Sequence, residues 1–146
     1  MTAMVEKEVL ISVRGEQYFD DIDPDTVELT TEGRMTIADD GEIILEYHET
    51  ELTGMAGTIT RFIVNGDTVT LRRTGSINNE MRFHVGYPHM SLYEAPMGTL
   101  TVEITTEKLA HRLSERGGIM DIKYAIAVEQ QITGRHQFKI RVRERV

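Results

Sequence analysis

Alternation is the constraint that governs this chain. Val27, Leu29, Thr31, Gly33, Met35 and Ile37 hold one parity while Glu28, Thr30, Glu32, Arg34 and Thr36 hold the other. That is the period-two pattern of a strand with one face in a core. The pattern returns at Val9, Ile11 and Val13, at Ile43, Leu45 and Tyr47, at Val69 and Leu71, and at Met81, Phe83 and Val85. It continues through Leu100, Val102, Ile104 and Thr106, then Met120, Ile122, Tyr124, Ile126 and Val128, and ends at Phe138, Ile140 and Val142. Residues 58–64 carry apolar side chains at both parities, so their phase is open. Residues 108–115 admit helix or strand; Leu109, His111 and Leu113 fit a strand resuming after a bulge near Lys108, and the hairpin turn that follows favours the strand.

Turn signals punctuate these runs. Tyr18 to Asp25, with Pro24 and four acids, reads as a loop. Asp39-Asp40-Gly41 reads as a hairpin turn, Asn65-Gly66 as a type I′ hairpin, and Arg116-Gly117-Gly118 and Gly134 as the last two turns. Further breaks fall at residues 53–57, 75–79 and 86–88, and around Pro96 and Gly98. Gly33, inside a long run, predicts a bulge or sharp bend. Short, regular strands joined in sequence with little or no helix predict an all-β antiparallel barrel of about eight to ten strands, with a sandwich as the other possibility. A single domain spans residues 1–146, and a barrel of about eight strands is either filled by its side chains or holds one small ligand.

Order and spacing of several short stretches match a known family. These are Glu49-Thr50-Glu51-Leu52-Thr53-Gly54-Met55, Leu71-Arg72-Arg73-Thr74-Gly75, Met81-Arg82-Phe83, Tyr93-Glu94-Ala95-Pro96-Met97-Gly98, and Gly117-Gly118 ahead of Asp121-Ile122-Lys123-Tyr124. Together they resemble the YwiB-like family of small bacterial proteins, a domain of unknown function, over nearly the whole chain. The resemblance implies a calycin-type (lipocalin-like) barrel and carries no catalytic or binding residues with it.

Composition narrows the function classes. The net charge of −8 argues against a phosphate-backbone partner, so no nucleic acid is expected. The chain has no cysteine, which excludes disulfides and cysteine-based zinc sites. The N-terminus lacks the long apolar run of a signal peptide, and no segment is long enough to span a bilayer as a helix. The expectation is a cytoplasmic monomer or homodimer without a membrane partner.

Arg73 shares the parity of Val69 and Leu71 and so points into the barrel. An unpaired arginine in a low-dielectric interior costs several kcal/mol, so it needs water or a carboxylate. Glu49 and Glu51 extend the inward parity of Tyr47 two strands away, about 9.6 Å across a simple meander. That distance suits an Arg–Glu pair, serving either as a structural plug or as the orienting element for a polar or anionic ligand. Tyr47, Tyr93 and Tyr124 are further candidates for the interior, with core packing or corner capping as their plain alternative. The histidines, with His48 and His84 at outward parity, show no metal-ligand spacing, and Thr26 and Pro24 spoil the calcium-loop pattern of Asp21, Asp23, Asp25 and Glu32. No metal or cofactor is expected. Three functions follow in order: a barrel binding a small apolar or amphipathic molecule; a filled barrel acting as a structural or interaction module; and an enzyme with Glu49 or Glu51 as general base and Arg73 as electrostatic stabiliser, its catalytic residues otherwise unknown.

Overall fold

Each alternating run becomes a strand. They are β1 (Met4–Phe19), β2 (Ile22–Ala38), β3 (Ile43–His48), β4 (Thr58–Asn65), β5 (Thr68–Gly75), β6 (Asn79–Phe83), β7 (His89–Ala95), β8 (Gly98–Ser114), β9 (Gly117–Val128) and β10 (Gln131–Glu144). The computed structural model describes residues 4–19, 22–95 and 98–145. A single 3₁₀ turn at Glu51–Thr53 is the only helical element among the described residues. The ten strands form one sheet in the order β6-β5-β4-β3-β2-β1-β10-β9-β8-β7. Every ladder is antiparallel. The first and last strands pair over Val9↔Glu144 to Tyr18↔Arg135, which joins two meanders into a nearly closed barrel.

The seam lies between β6 and the β7–β8 hairpin. No backbone ladder crosses it, yet β6 lies against both strands. Side chains take over the pairing. The Arg82 backbone N–H donates to His89 Nδ1 (3.2 Å), the His84 N–H donates to Thr106 Oγ1 (3.1 Å), and His111 Nε2 bonds the Gly66 carbonyl (2.7 Å). An edge satisfied in this way is closed to further strands. Thr106 is buried, so Thr106→Val keeps the shape and removes the acceptor. We expect a loss of about 1–3 kcal/mol in urea unfolding; an unchanged midpoint would show that the seam is held by something else.

The structure settles the open phases. In β4, Thr58, Thr60, Phe62 and Val64 point inward. The 108–115 segment is strand, after a register shift between Thr106 and Lys108. Other expectations need correction. The loop at residues 18–25 is shorter than read: β1 reaches Phe19 and β2 begins at Ile22, with Pro24 inside a register irregularity where β2 pairs with β1 alone. The 65–66 turn is centred one residue later, at Gly66-Asp67, and only Gly66 has positive φ (60°), as in a type II′ turn. The last turn is at Glu129 and Gln130, both with positive φ, and Gly134 sits inside β10 at a register shift. Gly33 makes no bulge, because the β1–β2 ladder runs through it in register. It provides clearance instead: a Cβ there would lie 2.5 Å from the Glu46 carbonyl oxygen and from Ile11 Cδ1. Val85, read as inward, lies beyond the end of β6 and is exposed.

One half of the barrel is filled. Val9, Ile11, Met35, Leu45, Phe62, Leu71, Phe83, Met120 and Ile122 are all essentially inaccessible. Phe62 of β4 meets Phe138 of β10 edge-on at 5.9 Å, and Phe83 of β6 meets Tyr124 of β9 at 4.8 Å. These contacts join walls that share no ladder. On the outer face a polar belt ties β8, β9, β10 and β1. Lys108 Nζ donates to Asp121 Oδ2 (3.0 Å) and Gln137 Nε2 to Asp121 Oδ1 (2.8 Å). The Tyr18 hydroxyl bonds Glu16 and reaches Gln137 Oε1 at 3.1 Å, and Arg14 Nε pairs with Glu16 at 2.9 Å.

The belt gives the fold an acid dependence. The Tyr18 hydroxyl holds Glu16 below its ordinary value, against burial and with help from the Arg14 and Lys139 charges. Burial alone would raise Asp121, but hydrogen bonds from Gln137 and Lys108 and the charges of Lys108 and Lys139 together lower it. For both groups the unfolded chain binds more protons over the interval between the folded and unfolded values. Their contribution is therefore complete above the ordinary values of 4.5 and 3.8 and is lost as pH falls through the depressed ones. Gln137→Leu removes one donor to Asp121 and is expected to move the acid-unfolding midpoint, followed by circular dichroism, to higher pH. A midpoint that stays put would take Gln137 out of the belt.

Candidate functional site

The other half of the barrel is hollow, and local geometry explains why. β2 pairs with β3 only from Gly33 to Ile37, so among the described residues its first half has β1 as its one ladder partner. β3 stops at His48. Thr50 then caps the 3₁₀ turn, its Oγ1 accepting from the Leu52 N–H (3.2 Å), and Gly54, at φ 75°, ends it. The chain is thus drawn away from the wall where β3 would have covered β2. Between the free half of β2 and this turn opens a cavity of about 280 Å³, near the lower end of small-ligand pockets (roughly 300–1,000 Å³). Its apolar walls are Val13, Val27, Leu29, Met55 and Phe138, and Leu52 stands at its rim.

Four of the six candidate residues line this cavity: Tyr47, Glu49, Arg73 and Tyr124. Glu49 is buried and its carboxylate is already occupied. Thr53 Oγ1 donates to one oxygen and Thr60 Oγ1 to the other, both at 2.7 Å. Arg73 sits directly opposite Thr60 in the β4–β5 ladder. No ion pair of Arg73 occurs among the described residues, and its Nε is buried without a hydrogen-bond partner. The expected Arg73–Glu49 pair is not made; the hydroxyls of Thr53 and Thr60 hold the carboxylate instead. Across the β5–β6 ladder from Arg73 stands Asn79, whose Oδ1 is likewise buried and unpartnered.

The tyrosines register that charge. Burial, then the Glu49 charge, raises the Tyr47 hydroxyl far above its ordinary value, and Arg73 opposes this. Burial raises Tyr124 in the same way, again against Arg73. Both are neutral phenols near pH 7. The Tyr124 ring is stacked on His136 (5.2 Å, 13°) and packs on Phe138 (5.8 Å). Burial lowers His136, which favours its neutral imidazole.

Glu51 and Tyr93 do not join the group. Glu51 is exposed at the start of the 3₁₀ turn; the inward phase of β3 ends at Glu49 because the strand has ended. Tyr93 lies in β7, paired with Leu100, and its side chain lies outside the described residues. Sequence reasoning missed His136 and the hydroxyl pair Thr53 and Thr60. His136 shares the parity of Phe138, Ile140 and Val142, which marks it as inward. Among the described residues, no group of three or more His, Asp or Glu is placed to hold a metal ion.

An antiparallel barrel, closed but for one seam and hollow at one end around an unpaired guanidinium, is the class that fold and site define. The chain belongs to a family of unknown function: the profile of DUF1934 matches residues 11–140. Its fold is that of the ywiB protein from Bacillus subtilis, whose crystal structure superposes with a TM-score of 0.78 over 97% of this chain and 94% of that one, at 20% sequence identity. No curated protein sequence matches the chain. The resemblance read from the sequence is borne out.

Proposed function

We propose that this barrel binds a small amphipathic molecule bearing an anionic group, and that Tyr47, Glu49, Arg73 and Tyr124 form the polar end of the site. The observation that carries this reading is Arg73: a cation that lines the cavity, has a buried Nε without a partner, and faces a carboxylate already claimed by hydroxyls. Arg73 is half-buried with its Nε enclosed, and a ligand anion would supply the charge partner it lacks. The hollow end speaks against the filled-barrel alternative. The acid–base reading has less support, since Glu51 lies outside the cavity and the Glu49 carboxylate already accepts from two hydroxyls.

The same reading takes the meander as calycin-type and the protein as cytoplasmic, in keeping with its lack of cysteine. No helix among the described residues is long and apolar enough to cross a membrane. Native mass spectrometry of protein purified without detergent tests the proposal. We expect a small adduct that leaves on denaturation; a bare mass in repeated preparations would contradict it.

A further inference from the structure

Resting on that reading, we infer that the ligand is a monocarboxylate with an apolar body. It enters sideways, head first, through the gap between the free half of β2 and the 3₁₀ turn. The charge of the site selects the head. Arg73 is the one Lys or Arg lining the cavity; the acidic residues lining it are Glu49, bonded by Thr53 and Thr60, Glu16, tied to Tyr18 and Arg14, and the exposed Asp25. A single guanidinium matches one planar carboxylate, two oxygens against two N–H groups. A phosphate dianion would bring a second charge beside Glu49 with no cation to meet it. Tyr124, neutral and within the field of Arg73, has no hydrogen-bond partner among the described residues and offers a further donor.

The opening selects the body. β2 lacks a ladder partner on its cavity side before Gly33. On one side of this gap Val27 is 54% exposed, and on the other Leu52 is 84% exposed at the tip of the turn. Leu52 contributes nothing to the core, and with Val27 it gives the gap an apolar side chain on each side, between which the proposal places the apolar body. The seam at β6 is no alternative entrance, since side chains of His89, Thr106 and His111 bridge it.

Isothermal titration with octanoate, octanol and octyl phosphate tests both parts. Wild-type protein is expected to bind octanoate about tenfold or more tightly than either of the others, as one charge-assisted hydrogen-bonded contact implies. Arg73→Met should erase that preference and Arg73→Lys should retain part of it. Leu52→Asp, at a position too exposed to disturb folding, should weaken octanoate severalfold. Octanol binding as tightly as octanoate, or a preference surviving in Arg73→Met, would overturn the carboxylate assignment. An unchanged octanoate affinity in Leu52→Asp would overturn the entrance. If none of the three binds while native mass spectrometry shows an adduct, the ligand class is wrong and the binding reading stands; if the mass is also bare, both fall.

Discussion

Replacing Phe62 with alanine is expected to cost about 3–5 kcal/mol, the usual loss for a large buried aromatic. Phe62 is 1% exposed and meets Phe138 edge-on from the opposite wall. β4 and β10 share no ladder, so the barrel walls cannot close over the space left behind by sliding along a hydrogen-bonded pair. Phe138 also lines the cavity, and the truncation would join the vacated volume to it. Urea unfolding should show a lower midpoint with an unchanged slope. A loss below about 1 kcal/mol would mean that the hollow end collapses readily and that the filled half does not support it.

Gly118→Ala is expected to cost about 3 kcal/mol or more. Gly118 has φ +142°, and a Cβ built there would sit 1.7 Å from the Arg112 carbonyl oxygen. Backbone strain of this kind is worth about 1–3 kcal/mol, and the clash adds to it because its partner is main chain. The residue lies between Leu113 of β8 and Val142 of β10, so relief of the clash breaks one ladder or the other. The same unfolding measurement applies; a near-neutral result would show that the start of β9 can move away from β8 freely.

Much of the fold was legible because a sheet with one buried face writes its phase into every second residue. Leu45, Leu71, Phe83 and Ile122 were inward by parity and are inward in the barrel. Turn positions were less legible. Glu129 and Gln130 both adopt positive φ without the glycine that would announce it, and the glycine nearby, Gly134, marks a register shift instead. The site divided along the same line. The inward direction of Arg73 follows from parity alone. Its lack of a partner does not, because the Glu49 carboxylate is claimed by Thr53, which reaches it only once the chain leaves β3 for the 3₁₀ turn, and by Thr60, on a strand whose apolar residues fall at both parities. Glu16 and Gln137 were unreadable for a further reason. They are outward yet buried, and what covers them is a belt assembled across the β1–β10 and β10–β9 registers. No local pattern encodes that belt.

The central claim is that Arg73 serves a ligand rather than the fold. The free energy of unfolding of Arg73→Met in urea, measured in ligand-free protein, tests it most directly. An architectural arginine would hold its partners in place, and its loss would destabilise. A half-buried arginine without a counter-ion adds little to the empty protein, and methionine fills similar volume without charge. Because Arg73 is half-buried and only its Nε is fully enclosed, the account expects the variant to match or exceed wild type in stability. A clear loss of stability would contradict it.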